Sequence, residues 1–525
     1  MFPRAEATWL PDGPMVESAL DFPWVKWMNE LIAAIDLGSN SFRLQVGRVV
    51  NDQIYPLDGL KEPVRLAAGL TPEKYLDAAA QQRGLDAMKR FNERLRGFAP
   101  DAVRAVATNT LRVAKNAPEF LLQAEAALGH PIEVIAGREE ARLIYVGVAH
   151  TLPDPHLQQL VVDIGGGSTE FIIGKSFQPI QLESLYMGCV SYSLRYFPGG
   201  TVDKRSLKEA EFAARQELQS IVRAYRETGW DLAVGSSGSA KSLVDVLEQN
   251  GLAAEGITRD GLERLREALL KAGNLDRLEL AGLKADRVPV LLGGFAIMSA
   301  VFKEFGLERM AFSEGALRLG VLYDLLGRYH HHDLRDATVS SFMNRYQVDR
   351  PQADAVSETA CHLLRSLDEA TAQTDHPDNM FLRWAALMHE IGISVAHSSF
   401  HKHSAYILAN ADMPGFSRMD QARLARIVLA HRGKLARVAG LELDNPDWRL
   451  IVCLRLAYIL HRARDGRGLP PISIEPTSHG FAVTLRDGWL KKHPLTAAAL
   501  EDEQRQWLAV GSGLAVRSAV VPRSS

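Results

Sequence analysis

Two segments of the chain share one pattern of apolar and polar positions. Each has an apolar run that ends in an aspartate, a turn of glycines and hydroxyl side chains, and a second apolar run; they are AIDLGSNSFRLQVG (34–47) and VVDIGGGSTEFIIG (161–174). Matching positions, such as Asp36 and Asp163, lie 127 residues apart. The pattern predicts a strand, a tight turn and a return strand in each segment. The constant offset predicts a duplicated domain.

Both turns have the composition of a phosphate-binding loop. Glycine lets the backbone approach a ligand closely, so that successive N–H groups can face phosphate oxygens. We expect Asp36 and Asp163, at the strand ends, to orient a metal ion or a water molecule beside that phosphate. Either turn alone is open to a second interpretation as a simple hairpin, but two facing hairpins form a cleft. The predicted phosphate-binding residues are Gly38, Ser39, Asn40, Ser41, Gly165, Gly166, Gly167, Ser168 and Thr169.

A third turn leads from an apolar strand into a helix, in DLAVGSSGSAKSLVDVL (231–247). It places backbone donors at a helix N-terminus, where the helix dipole favours an anion. Lys241 has two interpretations, a phosphate contact or a solvated surface lysine. A fourth strand–turn–helix, at 288–302, contains Gly293 and Gly294, which close packing explains as well as ligand approach does. The phosphate-binding residues predicted for the third turn are Gly235, Ser236, Gly238, Ser239 and Lys241.

The pattern changes near residue 328, where helical periodicity replaces the alternation of strands and helices. Alternating strands return near 470 and are followed by one more helix. This predicts a loose N-terminal extension (1–30), two α/β domains (31–150 and 151–327), an all-α domain (328–472) and a small α/β domain (473–525). His330 to His332 are predicted to be a basic connector, because three consecutive residues do not share one helix face.

Composition narrows the class of protein. The 525 residues are 46% hydrophobic and 23% charged, as in ordinary soluble proteins of several domains. The three cysteines are far apart, which favours a reducing compartment over a disulfide framework. The first thirty residues lack the pattern of a signal peptide. We expect a cytoplasmic protein, free or peripherally attached to the inner membrane. The net charge of −3 gives no basic field, so a nucleic acid is not an expected partner.

A chain with two such phosphate-binding hairpins is similar to proteins of the actin, sugar kinase and Hsp70 type of fold. That fold has two ribonuclease H-like α/β domains around a cleft. Four further segments resemble the exopolyphosphatase and guanosine pentaphosphate phosphohydrolase (Ppx/GppA) family. They are AVATNTLRVAKN (105–116), IEVIAGREEARLIYVGVAHT (132–151), MGCVSYSLRYFPGG (187–200) and SEGALRLGVLYD (313–324). The resemblance runs in consistent order from about residue 31 to the C-terminus.

The resemblance implies roles for several residues. Glu140, directly before Ala-Arg-Leu, matches the family's general base, and Arg112 matches an arginine that contacts phosphate. Without the family resemblance, Glu140 would be interpreted as an acid that complements a helix dipole, and Arg112 as a surface residue. Glu170 either supports the metal or the water, or faces solvent. The family also implies Mg²⁺ as cofactor, with Asp163 and Asp36 as its ligands.

The helical region resembles an HD phosphohydrolase-type domain but departs from it at the metal site. The expected His-Asp doublet is His389-Glu390, and Tyr458 stands where a distal aspartate is expected. Loss of these oxygen ligands predicts a degenerate HD-like domain without hydrolysis of its own. The segments 397–406 and 423–437 are rich in basic residues and histidine. They are predicted to form a surface that guides a polyanion, or else to be solvated helix faces.

The resemblance implies an exopolyphosphatase that releases orthophosphate processively from inorganic polyphosphate as a homodimer. The order Ser-x-x-His-x-His-Ser-Ala-Tyr at 398–406 favours that branch. Guanosine pentaphosphate 5'-phosphohydrolase is the alternative within the family, and dual activity stays open. A kinase of the same fold, or a non-hydrolytic nucleotide-binding protein of the actin or Hsp70 type, are the alternatives outside it.

Overall fold

A computed structural model describes residues 31–50, 53–152, 156–277, 279–329, 333–372, 376–438, 440–464 and 469–519. The predicted N-terminal extension and the connector His330 to His332 lie outside these ranges. The described chain forms two α/β halves, a helical region and a small third sheet.

The first sheet begins with the predicted hairpin. Strands β1 and β2 pair antiparallel from Leu31↔Arg48 to Leu37↔Phe42, and β4 pairs parallel with β1 on the other side. The strand order is β3-β2-β1-β4-β5. The strands are β1 Leu31–Leu37, β2 Phe42–Val50, β3 Gln53–Glu62, β4 Val103–Ala107 and β5 Ile132–Val134; the helices are α1 Ala78–Leu95, α2 Asn109–Val113, α3 Ala117–Leu128 and α4 Gly137–Ala149.

The second sheet repeats this arrangement in the order β10-β11-β9-β6-β7-β8. The strands are β6 Gln159–Ile164, β7 Thr169–Lys175, β8 Gln178–Leu185, β9 Leu232–Ser236, β10 Ile257–Thr258 and β11 Arg309–Phe312. The helices are α5 Cys189–Tyr196, α6 Lys204–Leu218, α7 Val222–Thr228, α8 Ser237–Gln249, α9 Arg259–Ala272, α10 Leu291–Phe305 and α11 Leu317–Tyr329.

The repeat extends to an irregularity that sequence did not predict. The β2–β3 register shifts between Val46 and Gly47, and the β7–β8 register shifts between Ile173 and Gly174. These positions differ by the same 127 residues as the hairpins. A bulge bends a strand and increases its twist, so both halves bend at the same point.

Helices α4 and α11 lie together between the two sheets. Their core contains Ile32 and Val106 of the first sheet and Val161 and Ile172 of the second. The backbones approach so closely that a Cβ on Gly320 would lie 1.7 Å from the Leu143 carbonyl oxygen. Helix α11 follows the second half in the chain, but through these contacts it also forms part of the core of the first half.

One helix of the second half contains a long apolar stretch. The window Val288–Phe305 has a mean hydropathy of 1.6, sufficient by length and composition, but 78% of it is buried in the protein. Its helix, α10, packs into the core beside the second sheet with Phe295 and Ile297. A buried core helix meets the same criterion, so this stretch is weak evidence for a membrane span.

The helical region and the C-terminal sheet share one apolar core. Trp384 and Leu456 of the helices lie in the same cluster as Ile474, Val483 and Trp507 of the C-terminal segment. The third sheet has the order β12-β13-β14. The elements are α12 Leu334–Arg345, α13 Arg350–Leu367, α14 Pro377–Met388, α15 Phe400–Asn410, α16 Arg418–Ala430, α17 Asp447–Leu460, β12 Ile472–Thr477, β13 Gly480–Arg486, α18 Trp489–Lys492, α19 Pro494–Leu508 and β14 Gly513–Ala519.

Candidate active site

The two hairpin turns meet across a cavity of about 390 Å³ between the halves. A Cβ on Gly166 would lie 2.9 Å from the Ser39 Cβ and 3.3 Å from the Asn40 nitrogen, so the turns are in direct contact. A Cβ on Gly38 would lie 3.0 Å from the Ser41 carbonyl oxygen. Glycine is required where these backbones approach. The predicted phosphate-binding residues that line the cavity are Gly38, Ser39, Asn40, Ser41, Gly165, Gly166, Ser168, Gly238 and Lys241.

The other predicted phosphate-binding residues lie behind the cavity wall. Thr169 donates to the Met187 carbonyl oxygen at 2.6 Å, Ser236 to that of Gly315 at 2.8 Å, and Ser239 to that of Ile164 at 3.0 Å. These hydroxyls hold the turns in place and are not directed at a ligand. Gly167 packs against Asn109, and Gly235 packs between Ala240 and Met310.

Six carboxylates line the cavity, and four of them, Asp36, Glu140, Asp163 and Glu170, lie near enough to affect one another's charge. Burial raises the pKa of Asp36 and of Asp163 to about 6. Burial, together with Glu140 and Asp163, holds the pKa of Glu170 well above its usual range. Ser237 donates to Asp163 Oδ2 at 2.5 Å, and Ser184 donates to Glu170 Oε1 at 2.8 Å. Since Glu170 is 1% exposed, the interpretation in which it faces solvent is wrong.

Arg112 holds Glu140 from behind. Its Nη1 donates to Glu140 Oε2 at 2.7 Å and to the Ile135 carbonyl oxygen at 3.0 Å. The Arg112 side chain is 6% exposed and is not among the residues that line the cavity. The alternative interpretation of Arg112 as a surface residue is therefore wrong. The phosphate contact implied for Arg112 remains a prediction, whereas its contact with Glu140 is direct.

Three arginines that sequence reasoning missed line the same cavity: Arg43, Arg287 and Arg318. Burial lowers the pKa of Arg43 to about 10 and also lowers the pKa of Arg318. Arg43 had a local signal, because it follows Ser41 by two residues and alternate strand residues share a face. The Arg287 guanidinium lies against Gly238, where a Cβ would be 1.8 Å from its Nη2. The arginines and carboxylates together give the cavity both signs of charge.

The residues at the degenerate HD-type position of the helical region are engaged in other contacts. His389 is fully buried, Glu390 forms an ion pair with Arg464, and the Tyr458 ring lies 6.0 Å from the His389 ring. Across the described ranges, no group of three or more His, Cys, Asp and Glu side chains is arranged to hold a metal by itself.

The two basic segments of the helical region are partly interior. His401 and His431 are 5% and 1% exposed, and His431 Nδ1 donates to the Val428 carbonyl oxygen at 2.6 Å. Arg423 is committed to ion pairs with Asp378 and Asp447. The predicted polyanion-guiding surface is therefore wrong for His401 and His431, which are buried, whereas the charge of Arg423 is compensated by its two carboxylate partners.

Comparison with known proteins identifies the family. The profile of the Ppx/GppA phosphatase family matches residues 45–329, and the profile of Ppx/GppA phosphatase domain III matches residues 334–504.

The chain belongs to the Ppx/GppA phosphatase family.

Its relatives in that family include a curated protein and solved structures. A guanosine-5'-triphosphate,3'-diphosphate pyrophosphatase from Aeromonas hydrophila is 39% identical over 485 residues, which are 92% of this chain and 97% of the relative. A solved exopolyphosphatase from Cytophaga hutchinsonii is 26% identical with a TM-score of 0.52, and a solved exopolyphosphatase-like protein is 25% identical with a TM-score of 0.52. Each solved match covers 56% of this chain and 97% of the other.

Membership in the Ppx/GppA family has two consequences. It confirms the predicted actin-like α/β fold followed by a helical region. It also makes the protein a hydrolase of phosphoanhydride bonds, so the kinase and the non-hydrolytic interpretations are wrong.

Proposed function

We propose that this Ppx/GppA phosphatase hydrolyses guanosine pentaphosphate to guanosine tetraphosphate and orthophosphate. The observation that carries the proposal is the single cavity that both phosphate turns line together with Glu140. The guanosine pentaphosphate pyrophosphatase of Aeromonas hydrophila, similar over nearly the whole of both chains, supports this substrate over polyphosphate.

The cavity residues support a direct attack by water. Backbone N–H groups of the turns at 38–41 and 165–168 bind the terminal phosphoryl group, and Glu140 accepts a proton from the attacking water. The water oxygen forms a bond to the terminal phosphorus while the bond to the bridging oxygen breaks. Arg43, Arg287 and Arg318 stabilise negative charge on the phosphoryl and leaving oxygens. Arg112 fixes the Glu140 carboxylate through its 2.7 Å bond.

The residues present fit the Mg²⁺ implied by the family. Asp36 Oδ1 is buried and has no hydrogen-bond partner in the described parts of the chain. Mg²⁺ is commonly held by one or two carboxylates together with substrate phosphates, so a larger protein cluster is not required. Asp36 and Asp163 would hold the ion. Bound Mg²⁺ would neutralise phosphate charge next to the scissile bond.

Other residues of the cavity lining support a nucleoside substrate. Phe312, Asp245 and Gly282 line the cavity in addition to the phosphate turns. Asp245 accepts from Lys241 at 2.6 Å, and the Lys241 ammonium lies 5.6 Å from the centre of the Phe312 ring. A carboxylate can accept hydrogen bonds from the ring and exocyclic N–H groups of guanine, as it does from donors of other bases. A chain of bare phosphates has no donor for it.

Exopolyphosphatase activity is the second candidate. Lys61, Lys284 and Arg287 line the cavity and would attract an extended polyanion. The solved structures that match include proteins described as an exopolyphosphatase and as exopolyphosphatase-like.

The test is a parallel assay of orthophosphate release. The full chain is incubated with Mg²⁺ and either guanosine pentaphosphate or long-chain polyphosphate at equal concentrations of terminal phosphate. A kcat/KM at least tenfold higher for guanosine pentaphosphate supports the proposal, and the reverse order supports the second candidate. No release from guanosine pentaphosphate, from protein shown to be folded, would refute the proposed function. A Glu140→Gln variant controls for contaminating phosphatases.

A further inference from the structure

The first turn of α4 carries three charged side chains that connect the cavity to the helical region. Glu140 lines the cavity and accepts from Arg112, Glu139 accepts from Gly415 of the helical region, and Arg138 bridges β8 to the helical region. We propose that Glu139 is a positioning residue for Glu140, through which the loop at 411–417 of the helical region orients the general base. The proposal rests on the role assigned above to Glu140.

Glu139 accepts hydrogen bonds from both sides of the interface between the helical region and the α/β halves. Its Oε2 accepts from the Gly415 backbone nitrogen at 3.0 Å, and its two oxygens accept from Arg142 at 2.8 Å each. Only 4% of Glu139 is exposed. Contact with the helical region therefore continues into α4 without intervening solvent.

From Arg142 the contacts continue as a chain of alternating charges. Arg142 donates to Asp324 of α11 at 2.5 Å, and Arg104 of β4 donates to the same carboxylate at 2.6 Å. Arg104 also donates to Glu133 of β5 at 2.9 Å. A buried charge is costly unless a partner in good geometry compensates it, so movement of one member disturbs the others. The network thus fixes the first turn of α4 against the first sheet.

Glu139 and Glu133 are the two ends of this network, whose three carboxylates and two arginines leave one excess negative charge. The Gly415 N–H and the N-terminus of α4 supply the compensating positive charge. Without the helical region, the Glu139 carboxylate would lose one of these partners. The contact therefore gives the helical region a direct effect on the residue next to Glu140.

The loop at 411–417, which provides the contact, is conformationally restricted at Gly415. Gly415 has φ +86°, in the left-handed region that favours glycine, and a Cβ there would lie 3.0 Å from Arg335 Cγ. The Arg335 guanidinium lies 4.5 Å from the centre of the buried Trp384 ring. In the same loop, Asp412 accepts from Arg138 at 2.9 Å as a second, exposed contact.

The consequence for turnover follows from the geometry of general base catalysis. A displacement of about 1 Å at a reacting group can cost about 100-fold in rate. We expect Glu139→Gln to lower kcat about 10- to 100-fold while KM changes less than about threefold, because no substrate contact is removed. A residue with only a structural role would lower thermal stability without changing kcat of the folded fraction.

Asp412→Asn provides a test that does not disturb the buried network. Glu209→Gln is its matched control, because Glu209 also pairs with an arginine and is 54% exposed, against 53% for Asp412. We expect Asp412→Asn to lower kcat about two- to fivefold and to speed amide exchange at residues 138–142, with no change in Tm. Glu209→Gln is expected to match the wild type in kcat, amide exchange and Tm.

The full chain is measured with whichever of the two substrates it hydrolyses. The proposal is overturned if folded Glu139→Gln has the wild-type kcat. If that variant does not fold, an Asp412→Asn protein equal to Glu209→Gln in kcat and amide exchange overturns it instead. A wild-type protein inactive on both substrates would refute the proposed function, and amide exchange alone would then decide whether the loop orders α4. An active Glu140→Gln protein would remove the base assignment and with it this proposal.

Discussion

Replacement of Glu140 by Gln tests the general-base role of this residue separately from the structural role of its side chain. Glutamine keeps the size of the side chain and an oxygen that can still accept from Arg112, whose Nη1 lies 2.7 Å from the present carboxylate. It does not accept a proton from water. The variant therefore removes proton transfer while it retains the hydrogen bond that orients the side chain.

The size of the effect can be worked out from these contacts. A positioned general base contributes about 100- to 10,000-fold, which is about 3 to 5 kcal/mol of barrier at about 1.4 kcal/mol per tenfold. Arg112, a buried cation, loses its nearest counter-charge but keeps its bond to the Ile135 carbonyl oxygen. We expect a loss of about 1 to 3 kcal/mol in the free energy of unfolding, since a charged acceptor becomes neutral.

The assay compares kcat for orthophosphate release with chemical unfolding of the same samples. Glu170→Gln is the matched control, because it replaces another buried carboxylate of the same cavity, one that accepts from Ser184 and not from Arg112. Glutamine keeps an oxygen for that bond, and Glu170 takes no proton in the proposed step, so we expect kcat within about tenfold of the wild type. If folded Glu140→Gln retains more than about a tenth of wild-type kcat, Glu140 is not the base.

Two further predictions concern the cavity wall and the metal. Thr169→Val removes the buried 2.6 Å hydrogen bond to the Met187 carbonyl oxygen. We therefore expect a free energy of unfolding in urea that is lower by about 1 to 3 kcal/mol, with kcat of the folded protein within about twofold of the wild type. A large loss of kcat alone would instead indicate a phosphate contact. Because the pKa of Asp36 is raised to about 6, the stability from its protonated form is present below about pH 4 and is lost as pH rises through 6. In thermal melts with orthophosphate we therefore expect Mg²⁺ to raise Tm at pH 8 but not at pH 5. The rise should be absent in Asp36→Asn, and an equal rise in that variant would exclude Asp36 as a ligand.

Much of the fold could be predicted because its signals are local. The alternation of apolar residues, the glycine turns and the 127-residue offset lie within short windows, and they lead to the paired hairpins β1–β2 and β6–β7. The same local signals placed Asp36 and Asp163 at strand ends. They did not show that α11 returns to the first half, since its packing on α4 depends on close backbone contacts such as Gly320 with Leu143.

The sequence by itself determined the repeated hairpins, their glycines and their aspartates, because strand periodicity and turn conformation depend on neighbouring residues. Only the tertiary structure decided which hydroxyls face the cavity, since Thr169 and Ser236 are bound by distant carbonyl groups. It also brought Arg43 and Arg318 together with the four carboxylates, and it joined Glu139 to Gly415, 276 residues away. Such partners are chosen by the packing of elements far apart in the chain, and no local pattern records that packing.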